Sequence, residues 1–500
     1  MGLELQFEKK SCQYLRYHMR QTREQEQTQE VRLPEGMPDI GEILGAWGQC
    51  VMRSKEWNSD SIGVSGGIMA WILYAGAEGG ELKTLEVWLP IQLKWNMPEA
   101  KRNGIIRCNW LLKGVDGRVL SARKMMVRAN VSVSAEALEP CEAEISTEGR
   151  VPQDVQLLKR TYPAKLNVEA GEKTFLLDEE IVPVMGAPAP EQIIYCSVRP
   201  QLTDRKVIGG KAVMRGNACF SMLYRAGDGG VHAHEQMMEF SQFSDLDRDY
   251  EAEAELSAEL ALSSLETELQ EGRVRIKCGM VAQYLVRDMV MLELTQDAYS
   301  PCRKVKPDRE ELRLPMVLDL RQEALEYSCS LSRKAARVVD VSVNPEQPTV
   351  RRAGDLAQIV IGGPVQVLYY DENGTLCSGS GRFNAQWELP AAEDMELYAG
   401  VQSVDRMQAV LSSDRIDLNG QLRMEVTAIG RQPLEMVTGM EMDDPKEPDP
   451  DRPSLVLVRV GSRDLWQVAK QTGSTVKAIM EANGLTAEPQ GDMLLLVPVS

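Results

Sequence analysis

The stretch Ile68-Met-Ala-Trp-Ile-Leu-Tyr-Ala-Gly-Ala-Glu-Gly-Gly80 decides the fold, because it joins an apolar run to a glycine-rich turn. The same Leu-Tyr pair followed by a turn returns at residues 223–230 and again at residues 368–374. An apolar run, a Gly/Asp/Asn turn and a second such run are typical of a β-hairpin. The sequence therefore predicts one β-rich hairpin that occurs three times.

Further landmarks keep the same order around each hairpin. A glycine precedes each Leu-Tyr pair, and a basic residue within a short polar motif follows it, at Arg118, Arg273 and Arg415. Self-similarity at a fixed period indicates tandem repeats. We therefore predict a mainly β protein with three tandem β-sandwich-like repeats of about 150 residues, at residues 1–145, 146–302 and 303–440.

One segment sends conflicting signals. Residues 251–269 are rich in Ala, Glu and Leu, which favours a helix. From Ala252 to Leu262, however, apolar residues alternate with a period of two, which indicates a half-buried strand. We predict a strand.

Composition limits the classes of function. The 500 residues carry a formal net charge of -18, and no stripe of Lys and Arg is present, which argues against binding to nucleic acid. No segment is apolar over the roughly 20 residues that a membrane-spanning helix needs. The first eight residues include acids where an export signal needs an apolar core, so we expect a cytoplasmic protein whose ten scattered cysteines are reduced.

The repeats end at a segment of different composition. Residues 441–453 hold four prolines and six acids against two bases, which is typical of an extended spacer. For residues 454–500 the sequence predicts a separate β-α-α-β domain. Asp464 is suited to cap the first helix and Gly473 to end it; the second helix begins after Ser474-Thr475 and ends at Asn483-Gly484.

Three motifs in this last domain resemble the LysM family. They are Leu-Trp-x-x-Ala-Lys at 465–470, Thr-Val-x-x-Ile-x-x-Ala-Asn-Gly-Leu at 475–485 and Leu-Leu-x-Val-Pro at 494–498. In typical members the loops before the first helix and after the second hold glycans that contain N-acetylglucosamine. The resemblance therefore implies a ligand-binding or partner-binding site at Ser462, Arg463, Asp464, Asn483, Gly484 and Leu485. The alternative role is helix capping, by Asp464 at a helix start and by Asn483-Gly484 at a helix end.

The three repeats resemble the SPOCS (spore coat-associated) domain. The motifs that carry this resemblance are Leu33-Pro-Glu-Gly-Met-Pro-Asp-Ile40 and the hairpin with its Leu-Tyr pair. SPOCS repeats followed by one LysM resemble the clostridial coat-morphogenesis family. The resemblance implies a non-enzymatic scaffold in the mother cell, at the forespore surface or coat, that docks through its LysM onto the coat morphogenetic ATPase or another spore coat protein.

The alternative function is binding of peptidoglycan glycan by the LysM. The family's usual Gly-Asp-Thr ahead of Leu-Trp is here Ser462-Arg463-Asp464, and this departure favours a protein ligand. The absence of an export signal favours the same interpretation.

Two motifs could signal chemistry. Gly63-Val-Ser-Gly-Gly67 matches the nucleophile-elbow string, but an apolar strand comes after Ser65 where a helix is required. His232 and His234 could share one face of a strand, yet two ligands rarely suffice for a metal site. We expect no catalytic residue, cofactor or metal. Trp466 falls on the apolar stripe of its helix, so we expect it in the core.

Overall fold

The predicted fold class, mainly β, is confirmed. The structure, a computed structural model, describes residues 3–78, 80–98, 103–147, 151–181, 187–405, 407–446, 453–487, 489, 491 and 493–499. Within these residues long antiparallel strands dominate, and the two helices lie near the C-terminus.

The first region forms two sheets. Its strands are β1 (Leu3–Gln6), β2 (Glu8–Arg32), β3 (Ile40–Trp57), β4 (Ser61–Gly76), β5 (Leu82–Asn96), β6 (Ile105–Ser121) and β7 (Lys124–Thr147). One sheet has the order β2-β7-β6 and the other the order β3-β4-β5. Residues 68–76 of the stretch that predicted the hairpin lie in β4.

The second region has the same plan with fewer strands. Its strands are β8 (Gln156–Ile181), β9 (Pro190–Ala226), β10 (Val231–Tyr250), β11 (Glu255–Gln270) and β12 (Arg273–Tyr299). One sheet has the order β8-β12-β11, and β9 pairs with β10 in the other. Residues 255–269 of the segment with conflicting signals lie in strand β11, as predicted, whereas residues 251–254 form the turn before it. Its small residues alternate toward the core, where Ala258 lies opposite Tyr284, so packing outweighs helix propensity.

The third region contains ten strands. They are β13 (Val305–Arg313), β14 (Met316–Leu331), β15 (Arg337–Val343), β16 (Thr349–Ala353), β17 (Leu356–Tyr370), β18 (Leu376–Pro390), β19 (Glu396–Val404), β20 (Gln408–Leu411), β21 (Ile416–Gly430) and β22 (Pro433–Met442). One sheet has the order β14-β21-β19, with β20 also on β21. In the other, β17 pairs with β15, β16 and β18.

The same strand order recurs in one sheet of each region. An early long strand pairs with a late long strand, which also pairs with a strand that precedes it, in β2-β7-β6, β8-β12-β11 and β14-β21-β19. In the third region β22 follows β21 and lies outside this sheet. Strand β1 joins the third region instead, because it pairs with β22, which also pairs with β13. The N-terminal strand therefore lies beside the end of the third region.

The Leu-Tyr landmarks are core residues. Tyr74, Tyr224 and Tyr369 are all buried. The turns after the second and third of them contain glycines in the left-handed conformation, Gly229 and Gly374, with φ angles of 79° and 78°. Such angles favour glycine over residues with a side chain, which is why these turns carry glycine at fixed positions.

The three regions meet at a buried polar contact. Asp340 on β15 accepts hydrogen bonds from Trp47 Nε1 on β3, at 3.1 Å, and from Tyr195 Oη on β9, at 3.0 Å. The two aromatic rings stack, with centroids 4.8 Å apart. Each region thus contributes one side chain to this contact, and each of the three side chains contacts the other two.

Polar contacts also run from each region to the next. Lys55 Nζ lies 2.8 Å from Gln283 Oε1, Ser134 Oγ lies 3.2 Å from Gln347 Oε1, and Arg205 forms a short ion pair with Glu425. The first of these joins regions one and two, the second regions one and three, and the third regions two and three. The contacts therefore form a closed cycle.

The C-terminal residues form a small domain, which we call the tail. Its elements are β23 (Leu455–Arg459), α1 (Leu465–Thr472), α2 (Val476–Ala482) and β24 (Leu494–Pro498). Strands β23 and β24 pair antiparallel. Of the predicted linker, Glu441 and Met442 belong to β22, and Lys446 N donates to Cys302 O at 2.9 Å. Residues 447–452 lie outside the described residues.

Removal of the Asp340 carboxylate should loosen the junction of the three regions. The change Asp340→Ala leaves the buried donors of Trp47 and Tyr195 without their acceptor, at roughly 1–3 kcal/mol for each. We expect a lower midpoint of thermal unfolding by scanning calorimetry. The control Asp355→Ala removes an exposed turn carboxylate and should leave the midpoint unchanged. A wild-type midpoint for Asp340→Ala would contradict this account of the junction.

Candidate docking site

The helix ends of the tail follow the sequence closely. Asp464 caps α1 by accepting a 2.7 Å hydrogen bond from the backbone N–H of Gln467, and Gly473 ends the helix with a φ of 69°. Thr475 caps α2 by accepting from Ala478 N at 3.1 Å. Capping of this kind satisfies backbone donors that a helix start leaves unpaired. The capping roles predicted for Asp464, Gly473 and Thr475 are confirmed.

The tail brings its two predicted site loops together. Arg459 at the end of β23 lies opposite Leu494 at the start of β24, and Val460 N donates to Met493 O at 2.9 Å. The loop before α1 and the loop after α2 therefore leave the same end of the sheet.

In the first loop, Ser462 is exposed while its neighbours are engaged. The Arg463 guanidinium donates to Gln471 Oε1 at 2.7 Å and to two backbone carbonyls of the β23 end, and Asp464 is the helix cap. The Arg463 side chain thereby fixes the shape of its own loop. Of these three residues, Ser462 is the one that can contact a ligand while the hydrogen bonds of Arg463 and Asp464 stay intact.

In the second loop, Asn483 has a structural role. Its amide donates to Leu496 O at 2.6 Å and accepts from Leu496 N at 2.8 Å, so it ties the end of α2 to β24. Leu485 packs against the tail core, whereas Gly484 is exposed with a φ of 64°. Among the six predicted residues, Ser462 and Gly484 are the two that are exposed.

The outward face of the tail sheet is apolar. Leu455, Leu457, Leu494 and Leu496 alternate with core residues along the two strands and are all exposed, Leu457 to 62%. Leu457 and Leu496 lie directly opposite each other, which makes the surface continuous. A contiguous exposed apolar patch of this kind is typical of a protein-interaction site. These four leucines were not among the predicted site residues, although their alternation is visible in the sequence.

Trp466 is buried, as expected, but its surroundings include another part of the chain. Its indole Nε1 donates to Asp297 Oδ2 on β12 at 2.9 Å, and its ring meets that of Tyr299 edge-on with centroids 4.7 Å apart. Lys470 Nζ lies 2.7 Å from the same Asp297 oxygen. The tail core is therefore completed by β12. No local spacing could reveal this contact, because the partners are far apart in sequence.

We call Asp297 and Tyr299 the seat of the tail. Tyr299 Oη donates to Ser474 O at 3.0 Å, and burial raises the pKa of Tyr299 to about 12. Arg309 adds a third donor to the Asp297 carboxylate at 2.8 Å. Burial alone would raise the pKa of the Asp297 carboxyl, but hydrogen bonds from Lys470 and Trp466 outweigh burial and lower that pKa. The carboxylate is thus held in its charged form.

The two motifs that could signal chemistry lie in regular strands. Ser65 is inside β4, and its Oγ is 2.7 Å from Ser54 Oγ on the neighbouring strand, which is not the strand-to-helix turn of a nucleophile elbow. His232 Nε2 lies 3.2 Å from Asp228 Oδ2 in the hairpin turn. Across the part of the chain that the structure describes, no group of three or more His, Cys, Asp or Glu side chains is placed to hold a metal ion.

One known family matches part of the chain. Residues 190–270 match the family described as SipL, SPOCS domain. The matched segment comprises β9, β10 and β11, which together are the hairpin sheet of the second region and the strand after it. The match supports a SipL-like protein associated with the spore coat, and thus a role in sporulation. Searches of curated proteins and of solved structures gave no match.

The described residues were also compared with the requirements for a membrane span. Neither α1 nor α2 is long and apolar enough to cross a membrane.

Truncation of Trp466 should unfold the tail. The change Trp466→Ala removes the largest ring of a small core, at roughly 3–5 kcal/mol. We expect rapid hydrogen exchange of the β24 amides in the full chain. Trp466→Phe keeps a ring against Tyr299 and should retain most of the protection, and Lys477→Ala on the exposed side of α2 should match wild type. Protected β24 amides in Trp466→Ala would show that the ring is dispensable.

Acid should release the tail from its seat. Because the pKa of Asp297 is lowered in the folded chain, its stabilising effect is complete above the ordinary Asp value of about 3.9 and is lost as the pH falls through the lowered value. We expect hydroxyl-radical oxidation of Trp466 to be slow and constant from about pH 5 to 8, and to rise below about pH 4. In Asp297→Asn the oxidation should be faster at every pH. A constant rate down to pH 2 in wild type would contradict this role of Asp297.

Proposed function

We propose that this chain is a non-enzymatic scaffold of spore coat assembly that docks onto a coat morphogenetic protein through its tail. The observation that carries the proposal is the combination of a SPOCS match in the second region with an exposed leucine face and two exposed loops on the tail. In this proposal the three regions are three copies of one SPOCS-like unit, and the tail is a LysM domain. The recurring strand order and the β-α-α-β element order support these two assignments.

The proposed partner is the coat morphogenetic ATPase or another spore coat protein, met in the mother cell at the forespore surface. A protein partner suits an apolar face of four leucines, because such a face is stabilised by burial of apolar area. A glycan would rely mainly on the two loops, where Arg463 and Asn483 already use their polar groups within the tail. The leucine face therefore favours protein over peptidoglycan.

A direct binding experiment separates the two ligands. The immobilised full chain is offered the purified coat morphogenetic ATPase in one arm and soluble N-acetylglucosamine oligosaccharides in the other. We expect the ATPase to be retained and the oligosaccharides to pass through. Retention of the oligosaccharides without the ATPase would replace this proposal with glycan binding.

Substitutions on the tail surface locate the docking site. Ser462→Trp places a bulky ring in the exposed first loop, and Leu457→Asp places a charge on the leucine face. We expect each to weaken ATPase binding at least tenfold, about 1.4 kcal/mol, without a change in thermal unfolding. The matched control Lys477→Trp changes an exposed residue of α2 outside the two loops and the leucine face, and should bind as wild type. Wild-type affinity for the ATPase in all three variants would exclude these surfaces as the docking site.

A further inference from the structure

The side of α1 that faces β12 forms an ordered set of hydrogen-bonding groups. Trp466 and Lys470 are four residues apart and lie on one stripe of the helix, and the backbone carbonyl of Ser474 continues that stripe beyond the helix end. These groups supply, in order, an indole N–H, an ammonium and a carbonyl acceptor. The edge contact of the Trp466 ring adds an aromatic surface.

The segment Asp297-Ala-Tyr299 satisfies every one of these groups. Asp297, with a side chain 14% exposed, accepts from the indole and the ammonium, and Tyr299 supplies the ring and the hydroxyl. The two side chains point the same way because they are two residues apart on a strand. The pairing of β12 with β8 shifts register between Thr295 and Asp297, and such a bulge re-aims the side chains beyond it.

We propose that this side of α1 is a recognition face for an extended segment with a carboxylate and a tyrosine two residues apart, and that Asp297-Ala-Tyr299 occupies it as an internal ligand. The inference rests on the proposed function only in assigning docking to the same domain. It adds the chemistry of a partner segment and a means of regulation, because a partner that presents Asp-x-Tyr or Glu-x-Tyr competes with the chain's own β12.

Covalent connection gives the internal segment the advantage. Two groups of one chain meet at an effective concentration set by the chain between them, so a dilute separate segment of equal affinity remains outside until the internal one is weakened. The apparent affinity of the face for an outside segment is proportional to the fraction of chains in which Asp297-Ala-Tyr299 does not occupy the face. Loss of the internal contacts should therefore open the face.

The first measurement asks whether the seat can be opened without unfolding the tail. Asp297→Asn and Lys470→Glu weaken the contact from opposite sides, and Tyr299→Phe removes only the hydroxyl that meets Ser474 O. We expect faster hydrogen exchange in residues 465–474 of each full-chain variant, with β24 still protected. Glu293→Gln, an exposed acid on the same strand, and Lys477→Glu serve as matched controls and should exchange as wild type.

The second measurement supplies the segment from outside. A fluorescein-labelled peptide copying residues 294–300 is titrated with the full chain and followed by anisotropy. We expect at least tenfold tighter binding to Asp297→Asn than to wild type or Glu293→Gln, and no binding of a peptide in which the Asp and Tyr positions are Ala.

Two results would overturn the inference: equal binding of the peptide to wild type and to an opened chain, or no binding to any opened chain whose β24 remains protected. If Asp297→Asn lowers β24 protection, Tyr299→Phe takes its place in the titration. The assay contains no coat protein, so its failure leaves the docking proposal standing. Failure of the ATPase to bind would likewise leave a positive peptide result intact.

Discussion

The buried contact of Trp47, Tyr195 and Asp340 is the constraint on which the arrangement of the three regions depends. Each side chain comes from a different region, and a carboxylate shared by two donors away from water is costly to separate from either. Together with the cycle of polar contacts between regions, and with β1 on β22, it gives the sheets a fixed mutual position. The second region, which contains the SPOCS match, contacts both of the others.

That fixed position determines where the tail lies. The end of β12 carries Asp297 and Tyr299, and α1 packs on them through Trp466 and Lys470. The tail is therefore attached to the β regions by side-chain contacts as well as by the chain itself. Its leucine face remains exposed, and Ser462 and Gly484 remain exposed in the two loops. In the proposed scaffold the docking surfaces are therefore left uncovered when the tail is on its seat.

Local signals in the sequence predicted the elements well. Glycine turns, a period of two and the caps at Asp464 and Thr475 are properties of neighbouring residues, so they identified the β class, the strand β11 and both helix starts. The seat was not predictable in this way. Asp297 and Trp466 come together only through the packing of whole regions, and nothing in the spacing around Asp297 distinguishes it from other acids. The structural use of Asn483 by β24 depends equally on the folded tail.

Hydrogen-exchange footprinting of the full chain, with and without the purified coat morphogenetic ATPase, tests the central claim of docking through the tail most directly. Docking through the tail should slow exchange in β23, in β24 and in the loops around residues 460–464 and 483–485. Exchange in the sheets of the three regions should stay unchanged. Protection confined to those sheets, with the tail unaffected, would contradict it.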